Sequence, residues 1–188
     1  MRKVSFDITL SIDGCCDHTK LSGDDEMLEY FTALFRDIDL FVFGRKTYQL
    51  MVPFWPDVAK NRSGKTNAVN EFAQAFDAVD KILVFSQSLD TVEGKNTSIV
   101  RTRPQEEILK LKQEQGKEIS IGGLHLLSQL VASGLIDEYR FFVHPIVVGE
   151  GRRLLEGISL QEKLQLKLVE STVFKSGGVA LRYLSLNV

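Results

Sequence analysis

The sequence predicts an α/β fold with a mostly parallel central sheet and an antiparallel hairpin at its C-terminus. In the first part of the chain, short apolar runs alternate with longer segments whose apolar residues recur at helical spacing. Strands that alternate with helices favour parallel pairing, because each helix carries the chain back across the sheet. Residues 164–174 and 179–186 instead alternate around Lys175-Ser176-Gly177-Gly178, which is typical of an antiparallel hairpin.

The elements are predicted from periodicity and from turn and cap residues. Strands are predicted at residues 4–12, 39–43, 81–85, 97–101, 118–121, 138–144, 164–174 and 179–186. Helices are predicted to begin near Asp24 and Arg45 and to cover residues 68–76, 104–115 and 124–132. Residues 51–66 hold Pro53, Pro56 and the single Trp55 and are predicted to be irregular, either a flap over a substrate or a mobile excursion.

Composition favours one globular domain, predicted to span residues 1–188, and excludes several function classes. Of the 188 residues 44% are hydrophobic, enough for a substantial core. The net charge is −2 with no basic stripe, so neither nucleic acid nor a membrane surface is an expected partner. No apolar run reaches the length of a membrane span, and the first residues lack the apolar region of a signal peptide, so we expect a cytoplasmic protein.

Cysteine and histidine usage gives no sign of a metal site. Cys15 and Cys16 are adjacent, a spacing that suits neither a disulfide framework nor zinc. The three histidines, His18, His125 and His144, lie singly in different predicted elements. We therefore predict no metal.

Residues 118–127 are the stretch with the clearest ligand-binding pattern. A β-branched run ends at Gly122 and Gly123 and passes directly into a helical segment. Glycines allow a ligand to approach the backbone closely, and the first N–H groups of a helix favour phosphate. Ile121, Leu124 and His125 join the two glycines as candidate cofactor contacts. An ordinary strand–helix turn stays open as an alternative, and the spacing is not the Gly-x-G-x-x-Gly pattern of a Rossmann domain.

Two further predicted strands end in residues suited to a nucleotide. These residues are Gly44, Arg45, Lys46 and Thr47 after one strand and Ser86 and Gln87 after the other. Because ligands of open α/β sheets lie at the carboxyl ends of the strands, the junctions are predicted to line one crevice. Arg45 and Lys46 suit a phosphomonoester, and Arg101 and Arg103 follow another strand end. A cationic cluster here favours the 2′-phosphate of NADP over NAD.

A set of motifs in a fixed order extends this pattern over nearly the whole chain. The motifs are Ser11-Ile12-Asp13-Gly14, Val42-Phe43-Gly44-Arg45-Lys46-Thr47-Tyr48, Ile119-Ser120-Ile121-Gly122-Gly123, Gly134-Leu135-Ile136-Asp137-Glu138, and His144-Pro145 with Gly149-Glu150-Gly151. Together they resemble the dihydrofolate reductase superfamily, and within it the branch related to the reductase domain of bacterial riboflavin biosynthesis. The zinc deaminase domain often fused to that reductase is absent, so the chain resembles a stand-alone member.

The resemblance implies a dihydrofolate reductase-like three-layer fold and NADPH-dependent hydride transfer to a small pterin- or aminopyrimidine-like heterocycle. Residues 44–47 match the family's first phosphate-contacting turn, and Ser86 matches the hydroxyl after the third strand. Gly122 and Gly123 match the paired glycines under the pyrophosphate, which the family joins by a cis peptide bond. Related reductases are commonly dimeric, which implies a homodimer.

The resemblance also suggests where substrate and proton donor lie. The substrate is expected near Ser11, Asp13, Tyr48 and Trp55. A proton must reach the reduced centre, and the candidate acids are Asp13, Glu26 and Glu29, since dihydrofolate reductase uses a carboxylate on its first helix. Asp13 is alternatively an ordinary Asp-Gly turn residue, and Glu26 a favourable charge at a helix N-terminus.

The chain departs from the riboflavin reductases at one motif. Met51-Val52-Pro53 stands where those enzymes carry Asp-Asp-Pro, so the resemblance does not carry a phosphoribosylaminouracil substrate over to this chain. The alternative hypothesis is a protein that binds NADP(H) without turnover, as a sensor or interaction partner. A structural domain that binds no nucleotide is a third.

Overall fold

The structure, a computed structural model, describes residues 1–158, 160 and 163–186. Its strands are β1 (Val4–Ser11), β2 (Ile38–Gly44), β3 (Lys81–Phe85), β4 (Thr97–Val100), β5 (Glu118–Gly122), β6 (Glu138–His144), β7 (Leu166–Val173) and β8 (Val179–Ser185). Its helices are α1 (Asp25–Phe35), α2 (Arg45–Met51), α3 (Trp55–Asn61), α4 (Asn67–Asp77), α5 (Pro104–Gln113) and α6 (Leu124–Val131).

The strands form one eight-stranded sheet in the order β4-β3-β2-β5-β1-β6-β8-β7. Every pairing among β1 to β6 is parallel, whereas β8 pairs antiparallel with both β6 and β7. The predicted fold class is therefore confirmed. Because β1 to β6 run in one direction, their carboxyl ends lie along one side of the sheet, called the carboxyl edge below.

Helices cover both faces of the sheet and make three layers. On one face Phe6 and Ile121 pack with Ile108 of α5 and Leu127 of α6. On the other face, phenylalanines of β2 and β6 pack beneath α1 and α4. Strand side chains alternate between the two faces, so the apolar runs of the central strands supply both cores.

The helix starts follow the cap residues. Asp24 accepts a hydrogen bond from Met27 N and begins α1, and Thr66 accepts from Val69 N and begins α4. The prediction that residues 51–66 are irregular is wrong, because α3 lies within them. Its start has proline in the first turn, a helix signal that the neighbouring Trp and Pro residues obscured. Within the described residues, no helix is long and apolar enough to cross a membrane.

A cluster of buried ion pairs lies on the α1 face of the sheet. Arg140 contacts Glu118 at 2.7 Å and Glu138 at 2.5 Å, and Glu138 also contacts Lys3 at 2.9 Å and Arg182 at 2.8 Å. Burial raises the pKa of Glu138, but together the hydrogen bonds from Arg182 and Lys3 and the charge of Arg140 outweigh it and lower that pKa to about 2. Glu138 is therefore ionised at neutral pH and joins β6 to β8 and to the N-terminus.

Candidate functional site

The ends of β2 and β5 meet closely at the carboxyl edge. Phe43 and Gly122 are partners in the register of the two strands. A β-carbon built on Gly122 would lie 2.7 Å from the Phe43 ring, and one built on Gly123 would lie 2.7 Å from Thr47 Oγ1 and 3.8 Å from Gly44 N. The structure thus brings two of the three predicted junctions into contact, and only glycine leaves space between them.

The turn between Gly122 and Gly123 differs from the expected one. All peptide bonds of the described residues are trans, so the expected cis bond is wrong. Gly123 instead adopts φ 108° and ψ 130°, a region that L-residues rarely enter. The chain therefore turns from β5 into α6 through the freedom of one glycine.

Helix α6 begins at this turn with its first N–H groups uncapped. Its N-cap is Gly123, and no side chain of the described residues bonds to the N-terminal N–H groups, whereas Asp24 caps α1. Gly44, the N-cap of α2, also lacks a capping side chain. The N–H groups of a helix's first turn need acceptors and carry positive partial charge. A notch with no β-carbons beside such donors fits a pyrophosphate group.

Arg45 lies beside this notch and reaches the loop after β3. Its Nη1 donates to Ser88 Oγ at 2.8 Å. Ser86 Oγ accepts from Ser88 N at 3.2 Å and from Leu89 N at 3.1 Å, and Arg101 donates to the carbonyls of Ser86 and Leu89 at 3.2 and 2.7 Å. Ser86 and Arg101 therefore hold the shape of the loop, and Arg45 directly follows Gly44, which borders the glycine notch.

The remaining predicted cofactor residues differ in how far their side chains are exposed to solvent. Lys46 and His125 are exposed on the first turns of α2 and α6, and Gln87 donates to Arg101 O at 2.8 Å. Ile121 is fully buried in the core, so only its backbone borders the turn. Arg103 is exposed and faces Glu106 at 3.8 Å.

Ser11 and Asp13, predicted to face the substrate, form hydrogen bonds that join the loop after β1 to the loop after β6. Ser11 Oγ donates to Asp13 at 2.6 Å and accepts from Cys15 N at 3.0 Å. Asp13 also accepts from Val148 N at 3.1 Å and Gly149 N at 2.9 Å. The bonds from Ser11, Val148 and Gly149 hold the pKa of Asp13 far below its ordinary value. Asp13 is ionised at neutral pH, so it is poorly suited to donate a proton.

The two candidate carboxylates of α1, Glu26 and Glu29, do not provide a proton donor at the edge either. Glu26 accepts from Ser176 N at 2.8 Å and Lys175 N at 3.3 Å, and the bond from Ser176 is the main cause of its lowered pKa. It therefore holds the turn between β7 and β8. Glu29 is exposed on α1.

The two aromatic residues predicted near the substrate are also engaged in packing. Tyr48 is buried with the phenylalanines of β2, and its hydroxyl accepts from Glu93 N at 2.7 Å. Trp55 is half-buried, with its ring centroid 4.5 Å from that of Phe72. The structure gives Tyr48 a core role, and we do not retain it as a substrate contact.

His144 is the residue at this edge that sequence reasoning missed. It ends β6 opposite Ser11 of β1, and its side chain is only 4% exposed. Among the described residues, no partner hydrogen-bonds to its buried Nε2. The sequence signal was its position as the last residue of a parallel strand, directly before Pro145, where ligand-facing side chains concentrate.

Exposed apolar side chains follow three of the strand ends at the carboxyl edge. They are Ile12 after β1, Leu50 and Phe54 after β2, and Ile146 and Val147 after β6. We call these five residues the apolar rim. Exposed apolar side chains at a ligand-binding edge suit the faces of an aromatic heterocycle or a nicotinamide ring.

The described residues hold no group of three or more His, Cys, Asp and Glu side chains placed to bind a metal ion. Cys15 and Cys16 are free thiols, and burial raises the pKa of Cys16 to about 11. The thiol of Cys16 is therefore protonated and unreactive at neutral pH.

Comparison with known proteins gives a family match and several proteins of similar fold. The profile of the RibD C-terminal domain matches residues 2–180. The uncharacterized protein YyaP of Bacillus subtilis (strain 168) is 29% identical over 186 residues, which cover 97% of this chain and 94% of that protein. A pyrimidine reductase-like protein from Corynebacterium diphtheriae has a TM-score of 0.69 at 16% identity, over 100% of this chain and 93% of that one. Dihydrofolate reductase from Enterococcus faecalis, solved with NADP(H), has a TM-score of 0.64 at 14% identity, over 98% and 97%. The resemblance in fold is thereby confirmed.

Proposed function

The chain belongs to the RibD C-terminal domain family, and from that premise we propose that it is an NADPH-dependent reductase of a small heterocycle. The proposal depends above all on the glycine notch at the uncapped start of α6. A pyrophosphate needs both close backbone approach and unpaired N–H donors, and the notch supplies them. Bound NADPH supplies the hydride, and the protein supplies binding, orientation and a proton.

The cofactor contacts follow from the placement of the side chains. The backbone from Gly122 to His125 would hold the pyrophosphate, and Gly44 and Thr47 would close its other side. Arg45 and Lys46 are exposed beside the notch and would pair with the 2′-phosphate of the adenosine. Ser86 and Gln87, in the loop that Arg45 contacts, would border the adenosine.

The apolar rim at the carboxyl edge supports a proposal for the substrate class. The apolar rim favours a planar, weakly charged ring, and Met51-Val52-Pro53 adds no carboxylate that would recognise a ribosyl group. A pterin- or aminopyrimidine-like heterocycle fits both observations. The similarity to a pyrimidine reductase-like protein supports the same class.

Turnover is tested by following the loss of nicotinamide absorbance when NADPH and the purified protein are mixed with dihydrofolate or with an aminouracil. We expect oxidation of NADPH with at least one acceptor and a much slower reaction with NADH. Tight binding of NADPH without oxidation by either acceptor would contradict the reductase proposal.

One observation favours the alternative of a protein that binds NADP(H) without turnover. Asp13 and Glu26 are committed to holding loops and Glu29 is exposed, so none of the predicted carboxylates is placed as a proton donor. The same absorbance experiment separates the two functions, because a sensor binds the nucleotide and leaves it reduced.

We also propose a homodimer that forms through the β7 side of the sheet. Strand β7 is an edge strand and exposes Leu168, Val169 and Val173. An exposed apolar edge strand is a ready surface for pairing with a second chain. That residues 1–188 act as one domain and that the protein is cytoplasmic are kept as predictions.

A further inference from the structure

We propose that His144 is the group that hydrogen-bonds the substrate heterocycle and supplies the proton for its reduction. This inference rests on the proposed reductase function and adds the residue that performs the proton transfer. It is drawn from the position, burial and missing partner of one side chain.

His144 lies where the substrate side of the crevice is expected. It ends β6 in register with Ser11, and its ring is 5.1 Å from that of Phe142, which lies beneath α1. Side chains two residues apart on a strand share a face, so the imidazole lies on the α1 face at the carboxyl edge. Ile146 and Val147 of the apolar rim follow after Pro145.

The unpartnered Nε2 atom is the observation that points to a ligand. A buried polar atom without a hydrogen bond destabilises a fold, because it has lost its bond to water and gained none in return. Within the described part of the chain, few buried side-chain polar atoms lack a partner, and His144 Nε2 is the one on a histidine. A heteroatom of a bound heterocycle would satisfy it.

The other charged groups near the imidazole are already engaged. Asp24 caps α1, Asp13 holds the loop after β6, and Glu26 holds the turn that contains Lys175. Asp24 is the charged group that most favours the protonated imidazole. The carboxylate oxygens of all three accept bonds from backbone N–H groups.

The proposed step pairs a hydride transfer with a proton transfer. A hydride, one hydrogen nucleus with two electrons, passes from the nicotinamide to the carbon of a C=N bond, and NADPH becomes NADP⁺. The π electrons of that bond move to the nitrogen, which takes the proton from Nε2 of the His144 imidazolium. The imidazole is left neutral and regains a proton from water.

The pH dependence has a defined sign. Burial lowers the pKa of His144 below 6.5, and the charge of Asp24 opposes this. The imidazolium is thus the minor form at neutral pH, and its population rises as pH falls. The chemical step should slow as pH rises through the pKa of His144 and should lose this dependence when the imidazole is removed.

The test compares wild type with His144→Gln and with His18→Gln, a matched change at the exposed histidine of another loop. Each protein is first titrated with NADPH, which should bind all three equally because β1 separates β6, which His144 ends, from β5 and the glycine notch. The complexes are then titrated with a diaminopyrimidine probe while the ring nitrogens of labelled histidine are followed by NMR. Reduction of dihydrofolate and of an aminouracil is measured from acid to alkaline pH.

We expect the probe to shift the Nε2 signal of His144 and to bind His144→Gln at least about tenfold more weakly. We expect the rate of reduction to fall on the order of 10²- to 10⁴-fold and to lose its pH dependence. Unchanged probe affinity, or an unmoved Nε2 signal, would overturn the inference even if NADPH binds. Failure of wild type to bind NADPH would instead overturn the proposed function.

Discussion

A β-carbon on Gly123 would lie 2.7 Å from the hydroxyl oxygen of Thr47. These two residues belong to different strand–helix junctions, so their proximity shows that the turns after β2 and β5 enclose one small space. The same glycine has φ 108°, which disfavours any other residue. Close approach and backbone conformation therefore both require glycine at this point.

Gly123→Ala should abolish measurable NADPH binding. The methyl group would enter the space assigned to the pyrophosphate and displace Thr47, and the positive φ would add about 1–2 kcal/mol of strain. Nicotinamide fluorescence during NADPH titration measures the first effect, and thermal unfolding measures the second.

Gly157→Ala is the matched control. Gly157 also has positive φ, at 73°, but a β-carbon there would meet no atom of the described residues within 4 Å. It should lose similar stability and keep its affinity for NADPH. Equal losses of affinity in both variants would mean that Gly123 acts only through folding.

Glu138→Gln should destabilise the fold strongly and flatten its acid response. Arg140 and Arg182 would lose a buried carboxylate, which removes about 3–5 kcal/mol. The folded-state pKa of Glu138 is lowered from 4.5 to about 2, so its stabilisation is full above pH 4.5 and is lost as pH falls toward 2. Denaturant unfolding across this range measures both effects.

Glu170→Gln controls for simple loss of charge beside Arg182. Glu170 contacts Arg182 at 3.3 Å, but its side chain is 59% exposed. Exposed ion pairs contribute about 0–1 kcal/mol.

Asp7 affects the acid response with the opposite sign to Glu138. Burial raises the pKa of Asp7, so the folded state favours its protonated form and gains stability from it as pH falls. An acid response equally steep in wild type and Glu138→Gln would assign it to other carboxylates.

Asp13→Asn should loosen the loop after β6 without changing the pH dependence of turnover. In Asp13 one carboxylate oxygen accepts from Val148 N and the other from Gly149 N. The amide of asparagine has only one acceptor oxygen, so one of these bonds is lost and the loop is destabilised by about 1–2 kcal/mol. Hydrogen exchange at Val148 and Gly149 should accelerate. Asp17→Asn, which changes contacts to Thr19 and His18 in its own loop, should leave both amides protected.

Val173→Lys should weaken the proposed homodimer. Val173 is exposed on the edge strand β7, and charge on an edge strand opposes pairing. In sedimentation, wild type should run as a species of about twice 21.2 kDa and the variant should shift toward 21.2 kDa. Leu109→Lys on α5, also exposed, should leave the dimer intact. A wild type that is monomeric would contradict the dimer.

The sequence predicted those parts of the site that depend on backbone geometry. Glycines at strand ends have few explanations, so Gly44, Gly122 and Gly123 could be assigned to one edge before the structure was known. Side-chain partners were less predictable. Tyr48 and Asp13 carry suitable chemical groups, but their bonds to residues far along the chain fix their roles.

The role of His144 could not be predicted from the sequence. A single histidine in a sequence has many structural explanations, and only its burial and free Nε2 in the folded chain distinguish it.

Helix α3 was missed for a different reason. Two prolines and a tryptophan close together look irregular, although proline in the first turn is compatible with a helix.

The most direct test of the central claim is a titration of wild type, Arg45→Ala and Arg36→Ala with NADPH and NADH, followed by nicotinamide fluorescence. Arg45 lies beside the notch, whereas Arg36 ends α1 at the opposite edge of the sheet. We predict tight binding of NADPH and weak binding of NADH by wild type. Arg45→Ala should lose most of this preference, about 1.5–3 kcal/mol for a charged hydrogen bond, and Arg36→Ala should keep it. Wild type that binds neither nucleotide, or both equally, would contradict the account.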